Sequence, residues 1–117
     1  MFVTSLIWYM SSAVKVVQPI GILDGTQAAH FRQEVIELVE SGADIILIDF
    51  QEVTFMDSSG LGALVLALKT VRAAGGKMFI CSVNEQIQML FELTSMDRVF
   101  DIFPTQEDFE SEVLSTT

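Results

Sequence analysis

The run Ile45-Ile46-Leu47-Ile48 constrains the fold more than any other stretch, because it is apolar without a break and is bracketed by Asp44 and Asp49. It is far too short to cross a bilayer, which takes about 20 residues. It reads as a strand, Ile45 to Phe50, with few polar side chains to turn toward water. Strands of that kind are buried on both faces and belong to parallel sheets covered by helices.

The flanking sequence supplies the covering. Ala13 to Val17 and Ile20 to Leu23 read as short strands broken at Gln18-Pro19. A helix follows at Gln27 to Glu40, with Ala28, Phe31, Val35, Leu38 and Val39 inward, Arg32, Gln33, Glu34, Glu37 and Glu40 toward water, and Gly42 as its stop. A second helix runs from Ser58 to about Ala73 on the apolar positions Leu61, Leu64, Val65, Leu68 and Val71, and breaks at Gly75-Gly76 before a strand at Lys77 to Cys81. Ser82-Val83-Asn84-Glu85 fits a capping box for a third helix, whose buried stripe is Ile87, Leu90, Phe91 and Leu93. A strand around Val99 to Phe103 comes next. The last helix opens at Thr105, with Asp108 three residues on, and packs Phe109 and Val113 inward. This alternation predicts an α/β layer structure with parallel neighbours joined by helical crossovers.

One domain, residues 13–114, accounts for nearly all of the 117 residues, and with half of them hydrophobic it has enough apolar side chains for a core. Residues 1–12 read as an N-terminal extension. Met1 to Met10 is apolar, but no Lys or Arg precedes it and it is too short to span a bilayer, so it reads as a short extension, open to an extra edge strand or to a dimer contact. The formal charge of −10 argues against nucleic acid and anionic membrane as partners and favours a basic protein surface, although acidic side chains also serve solubility. Cys81, the single cysteine, sits in the apolar run Met78-Phe79-Ile80-Cys81 and reads as a core residue of a protein from the reducing cytoplasm.

The candidate site is Asp57-Ser58-Ser59-Gly60-Leu61-Gly62, which lies where strand gives way to helix. Unpaired backbone N–H groups and the positive end of the helix dipole gather at such a place, so it tolerates an added anion. Asp and Ser are common helix caps, but a cap needs one oxygen, and this segment holds a carboxylate, two hydroxyls and two glycines in six residues. Glycine in a first helical turn costs about 1 kcal/mol relative to alanine, so Gly60 and Gly62 read as kept bare to let another molecule approach Ser58.

Other chemistries lack their parts. A nucleophile elbow needs glycine two residues before the serine, where Met56 stands, and the single His30 on the first helix reads as a surface or boundary residue. Asp49 ends a strand as a phosphoaspartate would, but no adjacent acidic pair after the first strand accompanies it. There is no Walker loop or dinucleotide fingerprint and no His or Cys cluster, so no cofactor and no metal is assigned.

Four segments together resemble the anti-sigma factor antagonists, the single-domain bacterial form of the STAS family, over roughly residues 13 to 110. They are Gly21-Ile22-Leu23-Asp24, then Ile48-Asp49-Phe50 with Val53, then Phe55-Met56 with the site segment, and Leu93-Thr94-Ser95-Met96-Asp97-Arg98-Val99-Phe100. The resemblance implies the STAS fold, a small mixed or mostly parallel sheet of four to five strands with about four helices packed on it. It implies phosphorylation at Ser58, and a partner-binding surface of Asp24, Asp57, Ser58, Ser59, Gly60, Leu61 and Gly62. It also implies partner switching: the dephosphorylated protein binds an anti-sigma factor that is a serine kinase and frees a sigma factor, phosphorylation ends the binding, and a PP2C-type phosphatase resets it. Members often carry glycine where Ser95 stands. A STAS module can also serve a stressosome, a lipid-transport complex or another signalling kinase, and the oligomeric state stays open.

Overall fold

The computed structural model describes residues 14–114. The extension 1–12, with the edge strand or dimer contact open to it, and Ala13 lie outside the described residues. Along the chain come β1 (Val14–Val17), β2 (Gly21–Leu23), α1 (Gly25–Glu40), β3 (Ile45–Asp49), β4 (Val53–Met56), α2 (Ser58–Ala73), β5 (Lys77–Cys81), α3 (Glu85–Leu93), a 3-10 turn (Met96–Arg98), β6 (Asp101–Phe103) and α4 (Gln106–Phe109), which continues as a π-helical turn, Glu110–Leu114.

The expected α/β sheet forms. Its order is β1-β3-β5-β6, and every neighbouring pair is parallel, with β3 and β5 at the centre. Alternation of side chains divides the core. Ile46 and Ile48 of β3 and Met78 and Ile80 of β5 pack under α1, α2 and α3 with Phe31, Val35, Leu64 and Phe91. On the opposite face, Leu47, Phe79 and Cys81 meet Phe109 and Leu114 from the short C-terminal helix.

The sequence reading missed β4. It pairs in parallel with β2 as a separate two-stranded ribbon, with Leu23 opposite Met56 and Ile22 opposite Phe55. Side-chain amides occupy the outer edge of β4. Asn84 Nδ2 donates to the carbonyls of Val53 and Thr54 at 3.3 and 3.1 Å, while Gln86 accepts from the Met56 N–H at 3.0 Å and donates to the Met56 carbonyl at 2.9 Å. Backbone groups at a strand edge need such partners wherever water is displaced.

Several local readings change. α1 starts at Gly25, two residues earlier than expected, because the Asp24 carboxylate caps it by accepting from the Gln27 N–H at 3.2 Å. Gly42, at φ +97°, ends that helix as predicted. The capping box Ser82–Glu85 does not form: Asn84 is the cap, accepting from the Ile87 N–H at 2.9 Å, and Ser82 has a left-handed backbone with φ 63°. Leu93, read as part of the buried stripe of α3, is 79% exposed, while Ile87 and Phe91 are buried. The last strand begins only at Asp101, because Met96–Arg98 coils into the 3-10 turn. Ser95, before that turn, has φ 61° and ψ 18°, the left-handed conformation that glycine takes freely and serine at about 1 kcal/mol. The Thr105 cap is as expected, its hydroxyl accepting from the Asp108 N–H at 3.1 Å.

Candidate functional site

β2 and β4 run side by side and end in register, so the residues that follow them, Asp24 and Asp57, are neighbours. Each caps the helix behind it: Asp24 opens α1, and Asp57 opens α2 by accepting from the Gly60 N–H at 3.0 Å. The Asp57 N–H in turn donates to the Leu23 carbonyl at 3.5 Å, which ties the two turns together. Two helix N-termini therefore point the same way, and Gly25 at the start of α1 lies against Ser59 at the start of α2, with about 3.9 Å between its Cβ position and the Ser59 hydroxyl.

This arrangement assigns a task to each residue of the motif. Asp57 does the capping, so the Ser58 hydroxyl, first in the helix and exposed, is free of that duty. Ser59 is also exposed, on the side toward α1. Gly62 is exposed, with open space where a side chain would stand. Gly60 differs from the sequence reading: it is buried, and its bareness serves the inside of the protein. A Cβ there would run into the Leu23 carbonyl oxygen and come within 2.7 Å of the Met56 side chain. Leu61 is buried beside it and belongs to the core. The surface around Ser58 is thus built from Asp24, Asp57, Ser58, Ser59 and Gly62, with Gly60 and Leu61 beneath.

Sequence reasoning missed one neighbour. Arg32, read as part of a solvated face, borders an open groove of about 770 Å³ that runs between α1 and α2 and takes in Ser58 and Ser59. The periodicity of α1 places Arg32 on the outer flank, but only the packing of the two helices shows what lies beside it.

Asp49, the other acid weighed as a phosphate acceptor, is 2% exposed. Its carboxylate accepts from the Gln18 side-chain amide at 2.9 Å and from the Gln51 N–H at 3.0 Å, so both oxygens are engaged in fastening the end of β3. Cys81 pairs with Asp49 across the strands and is fully buried, as the apolar run predicts. Burial pushes its thiol up to about 11; a hydrogen bond with Ser82 works against that rise, and the Asp49 charge adds to it. A thiol whose pKa is raised by folding stabilises the native state fully below the unfolded value of 9.0 and loses that contribution as pH climbs toward 11, because the unfolded chain gives up its proton first. The urea midpoint of the wild type should accordingly fall more steeply between those pH values than that of Cys81→Ala. Parallel slopes would show that the thiol plays no part.

Among the described residues no group of His, Cys, Asp and Glu could hold a metal ion, and no helix is long and apolar enough to cross a membrane.

Comparison with known proteins places this geometry. The STAS domain model matches residues 9–109. The anti-sigma-B factor antagonist of Bacillus subtilis is 33% identical over 87 residues, which cover 74% of this chain and 79% of that protein. Among solved structures, an anti-sigma factor antagonist from Mycobacterium paratuberculosis superimposes with a TM-score of 0.77 at 24% identity, covering 87% of this chain and 86% of that one. The Bacillus cell fate determinant SpoIIAA, solved in its phosphorylated form, gives 0.64 at 20% identity, covering 82% of this chain and 87% of that one. At these identities the structural likenesses establish the fold.

Proposed function

The chain belongs to the STAS-domain family as an anti-sigma factor antagonist, and on that premise we propose that it is a binding switch set by phosphate on Ser58. In its dephosphorylated form it binds, in the cytoplasm, an anti-sigma factor that is also a serine kinase, and so releases a sigma factor. Phosphorylation of Ser58 ends the binding, and a PP2C-type phosphatase restores it. Asp24, Asp57, Ser59 and Gly62 form the rest of the contact surface, held in shape by Gly60 and Leu61.

The observation that carries this reading is the division of labour at the head of α2. Because Asp57 takes the capping bond, the exposed Ser58 hydroxyl can be modified without unfastening the helix. A phosphate there adds about −1.5 to −2 charge at a helix N-terminus, where an anion gains roughly 0.3 to 1 kcal/mol, and the neighbouring carboxylate of Asp57 offsets part of that gain. The fold is therefore little disturbed. Burying that charge against a partner with no cation waiting costs several kcal/mol, while about 1.4 kcal/mol already weakens binding tenfold. The partner, not the scaffold, responds to the modification.

The test compares wild type, Ser58→Ala and Ser58→Asp with the cognate kinase and ATP. Wild type takes up phosphate. Ser58→Ala takes up none yet still retains the kinase, and Ser58→Asp retains at least tenfold less. Labelling of Ser58→Ala at the wild-type level would move the acceptor elsewhere and end this reading.

A further inference from the structure

The groove between α1 and α2 has more apolar surface than a phosphorylation site requires. Its walls are Ala28 and Ala29 on one helix and Val65 and Leu66 on the other, with Met96 from the 3-10 turn closing one side. Leu66 is 44% exposed in the folded chain, an apolar side chain of α2 that the core leaves uncovered. Small alanines and glycines along the groove keep it open. A volume of about 770 Å³ lies in the range of small-molecule sites, which are mostly apolar with a few placed polar groups.

Arg32 is the placed charge. It is the one cation of the groove wall in a chain with six Lys and Arg against sixteen Asp and Glu. It has no hydrogen-bond or ion-pair partner among the described residues. The starts of α1 and α2 meet at Gly25 and Ser59, and Arg32 stands seven residues further along α1, so about 10 Å of helix separates its backbone from the seryl end, at 1.5 Å rise per residue. That is the length of a medium-chain acyl tail. The charge pattern selects the head group. A guanidinium pairs with a carboxylate through two parallel hydrogen bonds, and the apolar walls favour a tail without further charge.

We propose that this groove binds a medium-chain fatty carboxylate, with its head on Arg32 and its tail lying along Ala29, Gly62 and Leu66 toward Ser58. The bound tail covers the Ser58 hydroxyl and shuts out the kinase, which gives the switch an input from a small anionic amphiphile. The binding site stands on the groove alone; the regulatory consequence rests on Ser58 being the phosphoacceptor.

The experiment titrates the full chain with decanoate, decanol being the uncharged comparison, and follows amide shifts by heteronuclear NMR. Decanoate should saturate one site, with shifts confined to α1, α2 and the 3-10 turn, and decanol should bind at least tenfold more weakly. Arg32→Gln and Leu66→Asp, both at exposed positions that leave the core intact, should each weaken decanoate at least tenfold. Absence of saturable binding, equal binding of decanol, or unchanged affinity in Arg32→Gln would overturn the site. In a parallel kinase assay decanoate should slow phosphate uptake in the wild type and not in Arg32→Gln. Failure of the wild type to be labelled at Ser58 without decanoate would refute the phosphoswitch and leave the titration to decide the site. Labelling that proceeds at full rate in the presence of saturating decanoate would refute the regulatory step.

Discussion

Replacing Gly60 with valine should destabilise the protein by about 3 kcal/mol or more, read as a large drop in its urea midpoint. The position lies in the first turn of α2, against the end of β2. A Cβ there meets the Leu23 carbonyl oxygen, a backbone atom, and comes within 2.7 Å of Met56 Cγ. Leu23 also accepts from the Asp57 N–H, so the strand cannot retreat without loosening the turn that presents Ser58. Gly62→Ala is the built-in control. Nothing lies within 4 Å of its Cβ position, and within a helix alanine is favoured over glycine by about 0.5 to 1 kcal/mol, so that variant should gain stability. Equal midpoints for the two variants would show that the contact at Gly60 has been misjudged.

Phe109→Ala should cost about 3 to 5 kcal/mol, as do other deletions of fully buried aromatic rings. Phe109 is wholly enclosed and sits 5.3 Å from Phe79 and 5.9 Å from Phe103, tilted against the first ring and edge-on to the second. Among the described residues few other side chains shield this face of the sheet: Leu114 is buried with it, and Val113 flanks it. Loss of the ring therefore exposes Leu47 and Phe79 rather than leaving a small void. Urea unfolding measures the cost, and limited proteolysis should show faster cleavage near α4. A midpoint shift worth less than about 1 kcal/mol would mean that the C-terminal helix is not part of the cooperative unit. The Ser58 surface lies on the other face of the sheet, outside the larger core, and partner binding at subdenaturing conditions should survive.

The elements with long, regular patterns were legible from residues alone. α2 runs from Ser58 to Ala73 and β5 from Lys77 to Cys81, as their apolar spacing and the Gly75-Gly76 break require. β4 was not legible, because Val53 and Met56 are buried while Thr54 and Phe55 between them face outward, a pattern that is neither a continuous apolar run nor a strict alternation. Its partner β2, by contrast, was legible: Ile20 to Leu23 reads as a short strand and Gly21–Leu23 forms one. The same distinction governs the site. Asp57 and Ser58 could be placed at a helix start from their neighbours in sequence, and the structure puts them there. The burial of Gly60 depends on Leu23, thirty-seven positions earlier, and the place of Arg32 depends on how two helices lie together. Leu93 was assigned to the core on spacing, yet α3 ends at that residue and little packs over its last turn.

Among the described residues three helices begin at an Asp or Asn, and the choice between acid and amide is not free. At positions 24 and 57 the side chain has only to accept a hydrogen bond from an N–H of the turn it opens, so a carboxylate suffices. Asn84 accepts from Ile87 with one atom and donates to two carbonyls of β4 with the other. Aspartate would keep the first of these contacts and set a negative oxygen against two more in place of the second. Selection at that codon thus weighs two neighbourhoods at once, and the same amide that starts a helix also denies an incoming strand its place on the ribbon.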